Sequence, residues 1–91
     1  MHHAHKVVLA LLLSAEKPLK KDQVELSLEE ELDLETIISE INQYLAETEM
    51  PIEVQNIADG YKVVTRPKYE TYIDRLFQKN SKPGLSQAAL E

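Results

Sequence analysis

The spacing of apolar residues changes at Pro51 of this 91-residue chain. Before Pro51, apolar residues recur every three or four positions, which is the period of one face of an α-helix. The clearest example comprises Leu34, Ile37, Ile38, Ile41, Tyr44 and Leu45. After Pro51, the segment 52–57 begins as alternation and the segment 61–65 is rich in β-branched residues, which indicates strands. A chain of this length holds one domain, so one core must serve both halves.

Three helices are expected before the change of period. The first covers 4–14 and ends before Lys17 and Pro18, because the residue that precedes a proline avoids the α region. The second, over 20–28, is short and has Val24 and Leu28 four positions apart. The third begins after Asp33, a suitable N-cap, and ends near residue 47.

A hairpin and a fourth helix are expected after Pro51. Asp59 and Gly60 predict a type I′ turn between the two strands, since glycine accepts a positive φ. Pro67 suits the first position of the fourth helix. The apolar residues of that helix are Tyr69, Tyr72, Ile73, Leu76 and Phe77. Three helices, a hairpin wing and a fourth helix predict an α+β, mostly α fold of the winged helix-turn-helix type.

The last residues predict a domain boundary. Pro83 and Gly84 lie in a segment, 80–84, with the composition of a linker. Residues 85–91 have the pattern of a new helix with Ser86 as its N-cap, and the end of the chain cuts this helix off. We therefore expect one domain over 1–79, followed over 80–91 by a linker and the truncated start of another domain.

Acidic side chains dominate the middle of the chain. Between Lys21 and Lys62 there is no Lys or Arg. The acids of that stretch are Asp22, Glu25, Glu29, Glu30, Glu31, Asp33, Glu35, Glu40, Glu47, Glu49, Glu53 and Asp59. The third helix occupies the position of a DNA-recognition helix, and such a helix must approach phosphates. This charge pattern and the net charge of −6 predict no strong direct nucleic-acid binding.

The alternative function is that of a DNA-binding transcription regulator, which would use Lys62 and Arg66 of the wing. This alternative depends on the basic residues in the last third of the chain. The bases there are Lys62, Arg66, Lys68, Arg75, Lys79 and Lys82. We favour the other interpretation of these bases, a solvated helix face.

No set of residues predicts an enzyme, and we expect no catalytic residue, metal or cofactor. The chain has no Cys, which excludes disulfides and thiolate zinc sites. Its serines have no companion histidine in a segment that we expect to be ordered. His2, His3 and His5 lack a carboxylate or thiolate at ligand spacing, so we expect them to form a flexible tail or a tag remnant rather than a metal site.

The apolar run 7–13 raises the question of a secretory signal. The run has the minimum length for one, and Leu13 stands where a signal cleaved after Ala15 requires a small residue. It is also far shorter than the roughly 20 residues of a membrane-spanning helix. We therefore expect a cytoplasmic protein with no membrane contact.

Two helices have more apolar surface than one core requires. Leu9 and Leu13 lie outside the main apolar face of the first helix, so they belong either to the core or to a contact with a second chain. The same question applies to Tyr69, Tyr72 and Leu76, since aromatic residues are favoured in interfaces. We predict a homodimer, with these five residues as its candidate interface.

Three segments together resemble one family. Residues 59–69, Asp-Gly-Tyr-Lys-Val-Val-Thr-Arg-Pro-Lys-Tyr, look like a Gly-Gly-Tyr-x-Leu-x-Thr-Arg-Pro-x-Tyr signature. Residues 17–19 look like a Glu-Pro-Leu turn, and residues 85–91 look like Leu-Ser-x-Ala-x-Leu-Glu. In this order and spacing they resemble the N-terminal domain of the bacterial segregation and condensation protein B family. Asp59 replaces a glycine and Lys17 replaces an acid, and neither change alters the turn chemistry.

The resemblance implies a function and partners. It implies a non-enzymatic scaffold subunit of the SMC–kleisin (condensin) complex in chromosome segregation and condensation, and hence a nucleoid-associated location. It also implies a kleisin partner, segregation and condensation protein A, and through it an SMC ATPase. A second winged-helix domain would follow the linker and provide most of the contact with the kleisin. On this basis we expect the present domain to provide homodimerisation.

Overall fold

The computed structural model describes residues 1–81. Its helices are α1 (His3–Ser14), α2 (Lys21–Leu28) and α3 (Leu34–Glu47). An antiparallel hairpin of β1 (Ile52–Ile57) and β2 (Gly60–Thr65) follows, and a 3-10 turn (Pro67–Tyr69) leads into α4 (Glu70–Ser81). This order confirms the predicted α+β, mostly α class with a winged helix-turn-helix arrangement.

Local sequence signals account for both ends of α3. The Asp33 side chain accepts hydrogen bonds from the Thr36 backbone N–H at 3.3 Å and from the Thr36 hydroxyl at 2.7 Å. These bonds satisfy one of the free N–H groups of the first helical turn. At the other end Glu49 adopts a left-handed conformation with φ 56°, and the Met50 N–H bonds to the Leu45 carbonyl. That geometry caps the last carbonyls of the helix.

One core joins the helices to the hairpin. Its buried apolar residues are Val8, Leu12, Val24, Leu34, Ile38, Ile41, Leu45 and Val54. They come from α1, α2, α3 and β1, so the hairpin is held by the same core as the three helices. In α3 the buried positions follow the predicted helical spacing, which places its acidic residues on the solvent side.

The hairpin turn lies one residue earlier than predicted. Ala58 and Asp59 are the two turn residues, with φ of 52° and 63°, and Ile57 pairs with Gly60. Two successive left-handed residues define the predicted type I′ turn. The prediction that Asp59 and Gly60 form this turn was therefore wrong. Gly60 belongs to β2, where a Cβ would lie 2.9 Å from the Leu19 carbonyl oxygen.

Both edges of the wing are attached to the helical part. On the β2 side, Leu19 and Tyr61 exchange two backbone hydrogen bonds, of 2.9 and 2.8 Å. On the β1 side, the Asn42 side chain donates to the Val54 carbonyl at 2.9 Å and accepts from the Val54 N–H at 2.8 Å. The wing is thus fixed by the α1–α2 turn on one edge and by α3 on the other.

The structure changes the interpretation of His5. His5 lies in the first turns of α1 and is 8% exposed, so the expectation that it belongs to a flexible tail was wrong. Its Nε2 donates to the Glu40 carboxylate at 2.6 Å, which links α1 to α3. A buried polar side chain needs such a partner, and this one lies 35 positions away in the sequence.

The end of the chain is described only in part. The last helix, α4, includes Asn80 and Ser81, which the sequence places in the predicted linker over 80–84. The predicted helix over 85–91 lies outside the described residues. The division of the chain into a domain over 1–79 and the start of a second one therefore stays a prediction.

Candidate self-association surface

The fourth helix has an apolar face that its own domain does not cover. Tyr72, Leu76 and Phe77 lie at helical spacing and are 66%, 48% and 62% exposed. Ile73, on the same face, is half-buried. We call Tyr72, Leu76 and Phe77 the α4 face. Large apolar side chains in such a contiguous exposed stripe are typical of a protein-binding surface.

The position of α4 explains this exposure. Pro67 occupies the start of the 3-10 turn, where its missing N–H costs nothing, and Glu70 lies in the first turn of α4 near the positive end of the helix dipole. The helix packs mainly against this preceding turn, and no described side chain of α4 belongs to the core. An amphipathic helix without a core to cover its apolar face gains stability from a partner.

Two of the described aromatic rings on this segment have a cation beside them. The Lys68 ammonium lies 5.4 Å from the centre of the half-buried Tyr69 ring. The Arg75 guanidinium lies 5.9 Å from the centre of the Tyr72 ring. Tyr and Arg are enriched where protein interfaces bind most strongly. The rims of the α4 face therefore have the composition of an interface.

The two α1 residues of the predicted interface differ in their exposure. Leu9 is half-buried and packs against the core, which is one of the two alternatives that its sequence position left open. Leu13 is 58% exposed at the end of the same helix. Of the predicted interface residues, Leu13, Tyr72 and Leu76 are therefore exposed, and Tyr69 is half-buried.

Phe77 and Leu26 are exposed apolar residues that the sequence prediction did not include in the interface. Phe77 belongs to the apolar repeat of the fourth helix, but it was not included in the candidate interface; its spacing was the available signal. Leu26 in α2 is 80% exposed. It lies two positions from the buried Val24 and therefore on the other side of the helix, whereas Leu28, four positions from Val24, shares the face of Val24.

The surface that a winged helix would present to DNA is negative. The solvent face of α3 carries Glu35, Glu40 and Glu47, and none of the ion pairs among the described residues joins these acids to a Lys or Arg. Thr36 holds the pKa of the Asp33 carboxyl below its ordinary value, mainly through the hydrogen bond from its side chain, so this N-cap is also anionic.

The cations of the wing bind groups of the protein itself. The Lys62 ammonium donates to the Glu16 carbonyl at 2.9 Å. The Arg66 guanidinium donates to the Met50 carbonyl at 2.9 Å and to the Glu53 carboxylate at 3.2 Å. Both residues that the DNA-binding alternative requires are therefore used in holding the wing to its surroundings.

Within residues 1–81 no group of three or more histidine, aspartate or glutamate side chains is arranged to hold a metal ion. No helix of this part of the chain has the length and apolar character needed to cross a membrane.

This chain has relatives among known families and proteins. The model of the family described as "Segregation and condensation complex subunit ScpB" matches residues 6–91. Segregation and condensation protein B of Symbiobacterium thermophilum is 31% identical over 91 residues, which are 99% of this chain and 41% of that protein. The protein of the same name from Bacillus pumilus is 38% identical over 87 residues, which are 93% of this chain and 44% of that protein. This chain thus spans less than half the length of these two curated relatives.

Solved structures share the fold. The crystal structure of ScpB from Mycobacterium tuberculosis superposes with a TM-score of 0.77 at 22% identity, over 96% of this chain and 55% of that one. A crystal structure described as a dimer of the ScpB N-terminal domain complexed with a ScpA peptide gives a TM-score of 0.70 at 24% identity, over 80% of this chain and 93% of that one. Because the family model covers nearly all of the sequence and the curated relatives match it at 31% and 38% identity, the chain belongs to the family of the segregation and condensation complex subunit ScpB.

Proposed function

We propose that this chain is a non-enzymatic scaffold subunit of a bacterial SMC–kleisin complex and that the domain described here provides its homodimer contact. The observation that carries this proposal is the α4 face, an apolar helix surface that lies outside the core. Family membership and the related N-terminal domain, which is described as a dimer with a ScpA peptide, support it.

The side chains of the α4 face have the size and apolar character that a dimer contact requires. Burying an apolar side chain of this size contributes about 1.5–3 kcal/mol, and a two-fold dimer buries each member of the α4 face twice. Association costs several kcal/mol in lost freedom of motion, so only part of this energy appears as affinity. We therefore propose an isologous contact centred on Tyr72, Leu76 and Phe77, with Tyr69 at its edge and Leu13 as a further contact.

The remaining partners follow from the same role. We propose the kleisin, segregation and condensation protein A, as the binding partner, and an SMC ATPase as the partner reached through it. The proposed location is the cytoplasm, at the nucleoid. A second winged-helix domain beyond residue 80 would supply most of the kleisin contact. Strong direct binding of nucleic acid by the described domain is not part of this role, since its α3 face is acidic and its wing cations bind protein groups.

The oligomeric state of the chain tests the proposal. Sedimentation equilibrium from low to high micromolar concentration is expected to show a dimer. Leu76→Asp places a charge on the α4 face without touching the core, so it is expected to give a monomer with unchanged helical circular dichroism. Leu26→Asp is the matched control, since Leu26 is 80% exposed on α2, and it is expected to leave the dimer intact. A wild-type chain that stays monomeric at high micromolar concentration would overturn the proposal.

The two leucines of α1 test the interface separately from the core. Leu9→Asp is expected to lower the thermal stability of the domain, because Leu9 packs against buried residues. Leu13→Asp is expected to leave the unfolding temperature of the monomer unchanged and to weaken the dimer, because Leu13 is 58% exposed. If Leu13→Asp unfolds the domain, Leu13 belongs to the core, and if it leaves the dimer unaffected, Leu13 has no role in the contact.

A further inference from the structure

We propose that the solvent face of α3 beside the start of α1 binds a lysine- or arginine-bearing segment of a partner protein. The surface in question is a shallow groove between the two helices with a volume of about 230 Å³. We call it the α1–α3 groove, and its walls include His5 of α1 and Glu40, Gln43, Tyr44 and Glu47 of α3. The four α3 residues lie at helical spacing and therefore form one stripe along the helix.

Neither acid of the groove is paired with a Lys or Arg side chain among the described residues. Glu40 is paired with His5, and its side chain is still 56% exposed. The Glu47 carboxylate accepts a hydrogen bond from the Gln43 amide at 3.2 Å. No Lys or Arg occurs in the sequence from residue 22 to residue 61, and the described ion pairs join none to either acid. The groove thus presents two carboxylates that the protein itself does not neutralise with Lys or Arg.

Two further features of the groove point to a ligand. Tyr44 lies between the two acids in the stripe and is 42% exposed, and the face of a tyrosine ring attracts ammonium and guanidinium groups. The His5 side chain, nine-tenths buried in the wall, has a ring nitrogen, Nδ1, without a hydrogen-bond partner among the described residues. Buried polar atoms without a partner are rare in native proteins, and this one belongs to the wall of the groove.

The charges select the kind of ligand. Phosphate groups and acidic peptides are repelled by the two carboxylates, whereas lysine and arginine side chains are attracted to them. The position that a DNA-binding winged helix uses for a polyanion therefore suits a polycation in this chain. The inference does not depend on the dimer, since the α4 face shares no residue with the groove.

The probe for this site is a fluorescein-labelled peptide of alternating lysine and alanine, and binding is followed by fluorescence anisotropy. A salt concentration of about 0.1 M limits electrostatic interactions to about 10 Å and so reduces the effect of distant charges. We expect the wild-type chain to bind the peptide and E40Q/E47Q to bind it about fivefold more weakly, which corresponds to the loss of two exposed ion pairs. The amide oxygen of a glutamine side chain can still accept the hydrogen bond that His5 donates to Glu40, so this variant preserves the α1–α3 link.

The matched control is E30Q/E31Q, which changes the net charge by the same amount at exposed residues before α3. We expect its affinity to stay within about twofold of the wild type, because screening limits the effect of distant charges. Tyr44→Ala should weaken binding about threefold and Tyr44→Phe should not, since the ring carries the interaction. Equal losses in the two glutamine variants, or no binding by the wild type, would overturn the proposal. Sedimentation of the same variants reports separately on the dimer.

Discussion

Replacing Gly60 with alanine is expected to loosen the attachment of the wing to the α1–α2 turn. A Cβ at position 60 would lie 2.9 Å from the Leu19 carbonyl oxygen and 3.0 Å from the Pro18 Cβ. The carbonyl belongs to the backbone, so the clash cannot be relieved by a change of side-chain rotamer. The φ of Gly60 is not left-handed, so the substitution tests the close approach of two chain segments and not the conformation of one residue.

The size of the effect follows from the bonds at this position. Moving the two segments apart weakens the two hydrogen bonds that join Leu19 to Tyr61. An intramolecular hydrogen bond contributes about 0.5–1.5 kcal/mol, and overpacking costs about 1–3 kcal/mol. We therefore expect the free energy of unfolding to fall by about 2 kcal/mol. In a domain of this size, each kcal/mol lowers Tm by roughly 4–8 °C.

Urea denaturation followed by circular dichroism measures this change. The matched control is Ala58→Gly, which changes a turn residue with φ 52° two positions away and adds no Cβ. It is expected to leave the free energy of unfolding unchanged or to raise it, since glycine adopts a positive φ more readily than alanine. If Gly60→Ala has the stability of the wild type, the close approach to Leu19 does not require glycine, and this reasoning is refuted.

Three further substitutions or titrations test other features of the fold. Glu49→Gly is expected to raise the free energy of unfolding by about 0.5–1 kcal/mol in a urea titration, because Glu49 caps α3 with a left-handed φ of 56°; a decrease would contradict this. Asn42→Ala is expected to lower it by about 1–3 kcal/mol in the same assay, since it removes both hydrogen bonds to Val54, and an unchanged value would show that water replaces them. An NMR titration is expected to give Asp33 a pKa below 3.8. The cap therefore stabilises the fold above the ordinary pKa, and this stabilisation is lost as the pH falls through the lowered pKa. Thr36→Ala should move the pKa back towards 3.8.

Elements whose signals lie in neighbouring residues could be predicted from the sequence. The apolar spacing and the Asp33 cap defined α3, because a helix is determined largely by residues within one or two turns of each other. Alternation and β-branched residues defined the hairpin. The order of these elements then limited the fold to a winged helix-turn-helix, since few arrangements give three helices and one hairpin a common core.

Features that depend on distant residues could not be predicted. The turn of the hairpin was misplaced by one residue because Gly60 is required by Leu19, which lies 41 positions earlier, and not by the turn itself. His5 was assigned to a flexible tail because its partner Glu40 lies on another helix. Leu9 and Leu13 have the same apolar character in the sequence, and only the packing of α1 shows that Leu9 contacts the core.

The account depends most on the claim that the α4 face contacts a second copy of this chain. An isotope-filtered NOE spectrum of a mixture of labelled and unlabelled protein measures contacts between copies directly. The account predicts cross-peaks between the side chains of Tyr72, Leu76 and Phe77 and the unlabelled copy, and no such cross-peaks to Leu26, which is also exposed, on α2. A spectrum whose contacts between copies all lie elsewhere, or one without such contacts at a concentration where the protein is dimeric, would contradict it.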